Sequence, residues 1–165
     1  MASRQDVFSN LNAEIIIISV DRMVSHISWK ADLEEVTYKG REKTKINFPF
    51  VVDSSYAISS SYGMIDAKSN PGQSVRGVFF VDPENTIRAF YFYPNEVGRN
   101  IDEIIRTLKA LQLNYENRDV VVPANWQPGD DVMIPFLSKE DKEELLKPEP
   151  SIYYINWYMI YKQAQ

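Results

Sequence analysis

The stretch "EIIIISVD", residues 14–21, sets the first constraint on what this chain can fold into. β-branched side chains are stiff at χ1 and suit a pleated strand. A run without polar alternation has to be covered on both faces, which is the pattern of a strand inside a parallel sheet. Asp21 is placed to cap the following helix, predicted to run to about Val36 with Ile27, Leu33 and Val36 on or near one face.

The preceding residues, "RQDVFSNL", read as the end of a helix. "YKGREKTK" is a polar, charged excursion, and "INFPFVVD" is a short strand pushed towards a sheet edge by Pro49. "YAISSSYG" predicts a short helix closed by Gly63, and "DAKSNPGQ" a loop. Val78–Val81 and Ile87–Tyr93 flank Asp82-Pro83-Glu84-Asn85, which is the chemistry of a β-hairpin. Ile101, Ile104, Ile105, Leu108 and Leu111 fall at helical spacing behind a capping pair, Asn100 and Glu103. From Asn114 the composition shifts to an irregular arm, then a capped helix in "SKEDKEELL" and an aromatic segment, "IYYINWYMIYK". The order strand, helix, strand, helix, hairpin, helix matches the second half of a thioredoxin-like α/β fold, with a mixed sheet flanked by helices.

Several functions are disfavoured by composition. The 165 residues hold no cysteine, which removes disulfides, thiolate metal sites and cysteine nucleophiles. A single histidine, His26, leaves little for a zinc site or a catalytic dyad, and it reads as structural or exposed. The net charge of −5 comes without a basic block, so nucleic acid is not an expected partner. The longest apolar run, Ile15–Ile18, is too short to span a membrane. A cytoplasmic location is the expectation, with neither a cofactor nor a metal. Asp130 and Asp131 read as turn residues; Trp126 and the tail aromatics Tyr153, Tyr154, Trp157 and Tyr158 read as packing or interface.

Arg76 stands at the mouth of an almost wholly apolar strand and needs an anion there. A carboxylate such as Asp66 is one candidate partner. Arg99 lies just before a helix N-terminus, where a cation faces the positive end of the dipole. It is either solvated beside Asp102 or Glu103, or poised on a bound anion.

"SVD" followed by "SHISWK", then "NFPFVVD", "YGMI", "VRGVFFVDP", "GRNIDEIIRTLKALQ" and "PANWQPGDDVMIP" occur in this order. From about Asn12 to about Pro135 the chain resembles the peroxiredoxins, and within them the one-cysteine-type subgroup with a long C-terminal arm. The resemblance implies a thioredoxin-like core over residues 1–113 and an arm or dimerisation segment over 114–165. It implies thiol-dependent reduction of hydrogen peroxide and organic hydroperoxides, in which a cysteine thiolate attacks the O–O bond and becomes a sulfenic acid. In the family that cysteine sits in a proline–threonine–cysteine loop at a helix N-terminus, favoured as thiolate by the dipole and a nearby arginine. Arg76 matches that arginine, and Arg99 matches a second one facing the pocket.

The family's first strands and its cysteine loop would precede Arg4 in this numbering. The expectation is therefore an N-terminally truncated peroxiredoxin, inactive as it stands. The alternative is a non-catalytic oligomerisation or partner subunit. Implied partners are a second copy in a homodimer or higher oligomer, a cysteine-bearing N-terminal fragment, and a thiol reductant.

Overall fold

The computed structural model describes residues 1–65, 75–135, 150–156 and 158–164. They fall into two compact units, Met1–Ile101 and Asp102–Gln165.

The first unit opens with a 3-10 turn, Ala2–Arg4, running into helix α1, Gln5–Asn10, which buries Phe8. Strand β1 is Ile17–Ser19, helix α2 is Met23–Glu35 and strand β2 is Phe50–Val52. β1 and β2 pair in parallel, Ile17 opposite Phe50 and Ser19 opposite Val52. The Asp53 amide then donates to the Ser19 carbonyl at 2.9 Å, carrying the pairing one residue on. Pro49 precedes β2, and its carbonyl accepts the Ile17 amide at 3.0 Å. A proline has no N–H, so it is tolerated here as an acceptor at the strand's first contact.

Two expectations need correction. β1 is three residues long, and Ile16 and Ile18 remain 56% and 39% exposed, so the strand written for burial on both faces is not covered on both. Nor does Asp21 cap α2: the N-cap position is Arg22, without a side-chain cap bond. Asp21 stands one residue too early, and its carboxylate takes the Ser19 hydroxyl instead. Along α2 the buried residue is His26, while Ile27, Leu33 and Val36 are exposed.

Helix α3, Ala57–Ser61, is one turn held by Asp53. The buried carboxylate accepts the amides of Ile58 at 3.1 Å and Ser59 at 2.7 Å, satisfying donors that a short helix leaves open. Burial pulls the Asp53 carboxyl up, but the amide and hydroxyl of Ser59 and the amides of Ile58 and Ala57 outweigh it and hold the group below its usual value. Gly63, at φ 66°, ends the turn in the left-handed region as the sequence predicts.

Strands β3, Arg76–Val81, and β4, Ile87–Tyr93, form the predicted hairpin. One oxygen of Asp82 accepts the amides of Glu84 and Thr86, each at 2.9 Å, and the other meets Arg88 at 3.4 Å. Asn85 takes φ 61°. The register sets Arg76 opposite Tyr93, Gly77 opposite Phe92 and Phe79 opposite Phe90. Gly77 is needed for packing, since a Cβ there would sit 2.8 Å from the Phe79 ring. Among the described residues β1 pairs with β2 and β3 with β4, and the two pairs do not join. The loop 66–73 lies outside the described residues.

Helix α4, Ile101–Glu116, lies almost wholly in the second unit; of the predicted face it buries Ile104 and Ile105 and half-buries Ile101, Leu108 and Leu111, while Thr107 and Ala110 are buried as well. Glu103 and Arg106 pair one turn apart, and Arg106 also donates to the Trp126 carbonyl at 3.1 Å. Strands β5, Val132–Ile134, β6, Ile152–Asn156, and β7, Met159–Lys162, make an antiparallel sheet with β7 in the middle. The predicted helix in "SKEDKEELL" and Trp157 lie outside the described residues.

Candidate functional site

The hairpin brings the two predicted arginines together. Arg76 begins β3 and faces Tyr93, the last residue of β4. The chain leaves Tyr93 through a short turn, where the Val97 amide donates to the Pro94 carbonyl at 3.0 Å, and reaches Arg99. Arg99 follows this turn and interacts electrostatically with Arg76. Burial first, and then the charge of Arg76, make its guanidinium less basic than usual, while Tyr93 acts the other way. The residue still exposes much of its surface, so solvent screens part of this repulsion. Neither arginine makes an ion pair among the described residues.

A third arginine, Arg41, stands in a tight turn. Tyr38 and Arg41 exchange backbone hydrogen bonds across Lys39 and Gly40, which take φ 49° and 74°. Both central residues are left-handed, as in a tight two-residue hairpin turn, and glycine at the second supplies that conformation without strain. Gln5 clamps the same segment to α1: its amide donates to the Lys45 carbonyl at 2.5 Å and accepts the Asn47 amide at 2.9 Å. The turn is so held near the start of the first unit. There the α-amino group of Met1 is less basic than usual, through burial first, then Arg41, then Arg99. Arg41 was hidden in sequence within a stretch that reads only as polar and charged. Gly40, between Tyr38 and Arg41, is the available clue to the turn.

Trp126, Asp130, Asp131, Tyr153 and His26 make structural contacts. Trp126 is buried and donates its indole N–H to the Asp130 carbonyl at 3.0 Å. Asp130 accepts the Gln127 amide at 2.8 Å, and Asp131 accepts the Tyr153 hydroxyl and the Ala164 amide, each at 2.9 Å. Both aspartates close turns or ends, and no group of metal-binding side chains forms among the described residues. His26 is 5% exposed, set edge-on against Phe50 at 5.9 Å, with neither ring nitrogen hydrogen-bonded among the described residues. A shallow groove of about 560 Å³ runs over the hairpin, lined by Tyr62, Phe79, Arg88, Phe90 and Phe92 among others. It includes neither Arg76 nor Arg99, and Arg88 is already paired with Asp82. It is an aromatic surface, separate from the cationic one.

Residues 1–90 match the AhpC/TSA family, and residues 110–147 match the C-terminal domain of 1-Cys peroxiredoxin. A peroxiredoxin of Methanosarcina mazei is 41% identical over 165 residues, covering 98% of this chain and 75% of its own. Peroxiredoxin 2 of Picrophilus torridus is 41% identical, with 92% of this chain and 72% of its own covered. Among solved structures, the yeast mitochondrial 1-Cys peroxiredoxin superposes with a TM-score of 0.82 at 30% identity, over 99% of this chain and 76% of its own. A mutant of Peroxiredoxin 6 of Arenicola marina gives the same TM-score at 25% identity and the same coverages. The fold is thioredoxin-like, and with the two family matches and these relatives the chain belongs to the peroxiredoxin family, as a member whose 165 residues include no nucleophilic cysteine.

Proposed function

We propose that Arg76 and Arg99 are the cationic half of a thiol-peroxidase site, completed when a cysteine on another polypeptide segment is placed between them. The electrostatic coupling of the two guanidiniums, with no ion pair to either among the described residues, carries this reading. In the completed site the thiolate attacks one peroxide oxygen. An S–O bond forms and the O–O bond breaks. Sulfur is oxidised to the sulfenic level, and the departing oxygen takes a proton to leave as water or alcohol. Arginines aimed there stabilise the thiolate before attack and the oxyanion during it. This chain supplies the arginines, and the sulfur has to come from elsewhere.

The test uses the chain as it is. Sulfate is expected to raise the melting temperature about 3 °C more than chloride at equal ionic strength, because an anion that binds only the folded state stabilises it. Arg76→Ala is expected to abolish the difference. A sulfate effect that survives Arg76→Ala would remove the reason for assigning the pair a functional role.

A second reading, a non-catalytic subunit within an oligomer, is favoured by the hairpin. β4 has an outer edge unpaired among the described residues, and Phe90 and Phe92 on it are 57% and 48% exposed. An open aromatic edge strand invites pairing with a second copy. Phe90→Lys or Phe92→Lys is expected to shift sedimentation towards monomer. An unchanged profile with both would place any interface elsewhere.

A further inference from the structure

We propose that Met64 is a site of modification by peroxide, and that its sulfoxide form dismantles the aromatic face of the β3–β4 hairpin. The backbone holds this residue in one place. At the end of α3 the Gly63 amide donates to the Ser60 carbonyl at 3.1 Å, and the Met64 amide reaches back to the Ser59 carbonyl at 2.8 Å. This is the Schellman arrangement that a left-handed glycine permits. The Met64 carbonyl then accepts the Val75 amide at 2.9 Å, which fixes the residue beside the start of β3.

The Met64 side chain fills the space that Gly77 leaves open. A Cβ on Gly77 would lie 3.0 Å from Met64 Cε, 3.2 Å from Met64 Sδ and 2.8 Å from the Phe79 ring. Thioether and ring therefore close over one backbone position, with no room there for a further heavy atom. Phe79 in turn organises the face: its ring centroid stands 4.8 Å from that of Tyr62, 5.8 Å from Phe90 and 5.7 Å from Phe92. Met64 itself is half-buried, within reach of a molecule as small as hydrogen peroxide.

The chemistry needs no cysteine. A lone pair on the thioether sulfur attacks one peroxide oxygen, an S–O bond forms and the O–O bond breaks. The departing hydroxide takes the proton of the transferred oxygen and leaves as water. Sulfur is oxidised by two electrons and the peroxide is reduced by two. The step stops after one oxygen, so it adds no turnover. A sulfoxide is polar and seeks water rather than a ring edge. Its departure uncovers Gly77, which has no side chain to refill the space, and Phe79 loses the contact that sets its ring.

Hydrogen peroxide treatment of the full chain tests this, read by peptide mass mapping, near-ultraviolet circular dichroism and a melting curve. One added oxygen is expected on Met64, with a weakened aromatic signal and a melting temperature lower by about 5 °C. Met64→Leu, a volume-conserving change, keeps the fold and is expected to lose both responses. Met64→Gln, polar and of similar length, is expected to show the oxidised signature without peroxide. Met23→Leu, at a residue 58% exposed at the start of α2, keeps the response of the parent. Met64 left unmodified by peroxide, an equal fall in Met64→Leu, or a Met64→Gln chain as stable as the parent overturns the proposal.

Discussion

Given hydrogen peroxide and a dithiol, the chain by itself is expected to consume peroxide no faster than buffer. The reaction needs a sulfur that can cycle through a sulfenic acid, and the sequence has methionines but no cysteine. Methionine oxidises to a sulfoxide, which a dithiol does not return at a useful rate without a dedicated reductase. Mixed with a cysteine-bearing polypeptide covering the quarter of the relatives that this chain does not match, it is expected to turn over. Arg76→Ala then lowers that rate by about a hundredfold, the usual loss when one preorganised charge donor is removed. Peroxide consumption measured electrochemically, in metal-free protein, decides both halves. Turnover without an added thiol protein, or complemented turnover indifferent to Arg76→Ala, would sink the proposed division of the site.

The isolated chain is also expected to melt at low temperature, broadly, and with a dependence on protein concentration. The reasons are specific. β1 and β3 each keep one strand edge unpaired among the described residues. Ile16 and Ile18 belong to an apolar run and remain exposed, as does much of α2, including Val24, Ile27 and Trp29. His26 is buried with two ring nitrogens unsatisfied among the described residues, which costs free energy that a hydrogen bond would offset. Exposed apolar surface and open strand edges both favour association. Addition of the complementing polypeptide is expected to raise the melting temperature and sharpen the transition. Ile16→Lys separates the two states. It changes the stability of the isolated chain by no more than about 0.5 kcal/mol, as exposed substitutions do, yet weakens complementation. A sharp, concentration-independent transition above about 65 °C in the isolated chain would contradict this account.

Local chemistry was the legible part. The β3–β4 hairpin is written into residues 76–93, because Asp82 and Asn85 build the turn from their own backbone neighbours. Helix α4 is legible for the same reason: its apolar spacing needs no knowledge of what covers it. The cap of α2 falls one residue beyond the predicted Asp21, because a hydroxyl at Ser19 competes for that carboxylate and sequence does not rank such rivals. His26 is buried at a helix position that no period selects, packed on Phe50 from a strand some twenty residues on in sequence.

By itself the sequence determined the elements, the family motifs and the absence of a nucleophile, since each of these depends on neighbouring residues or on composition. It also placed Arg76 and Arg99 at the ends of elements where a cation lacks a local partner. Tertiary structure decided which charges meet. Gln5 ties residues 45–47 to α1 across some forty positions of sequence, and the hairpin sets Arg76 opposite Tyr93, a few residues before Arg99. Only the fold decided, too, that the apolar run at β1 is left uncovered: periodicity records that a strand must be buried, but whether a neighbour is present to bury it depends on contacts that no local pattern encodes.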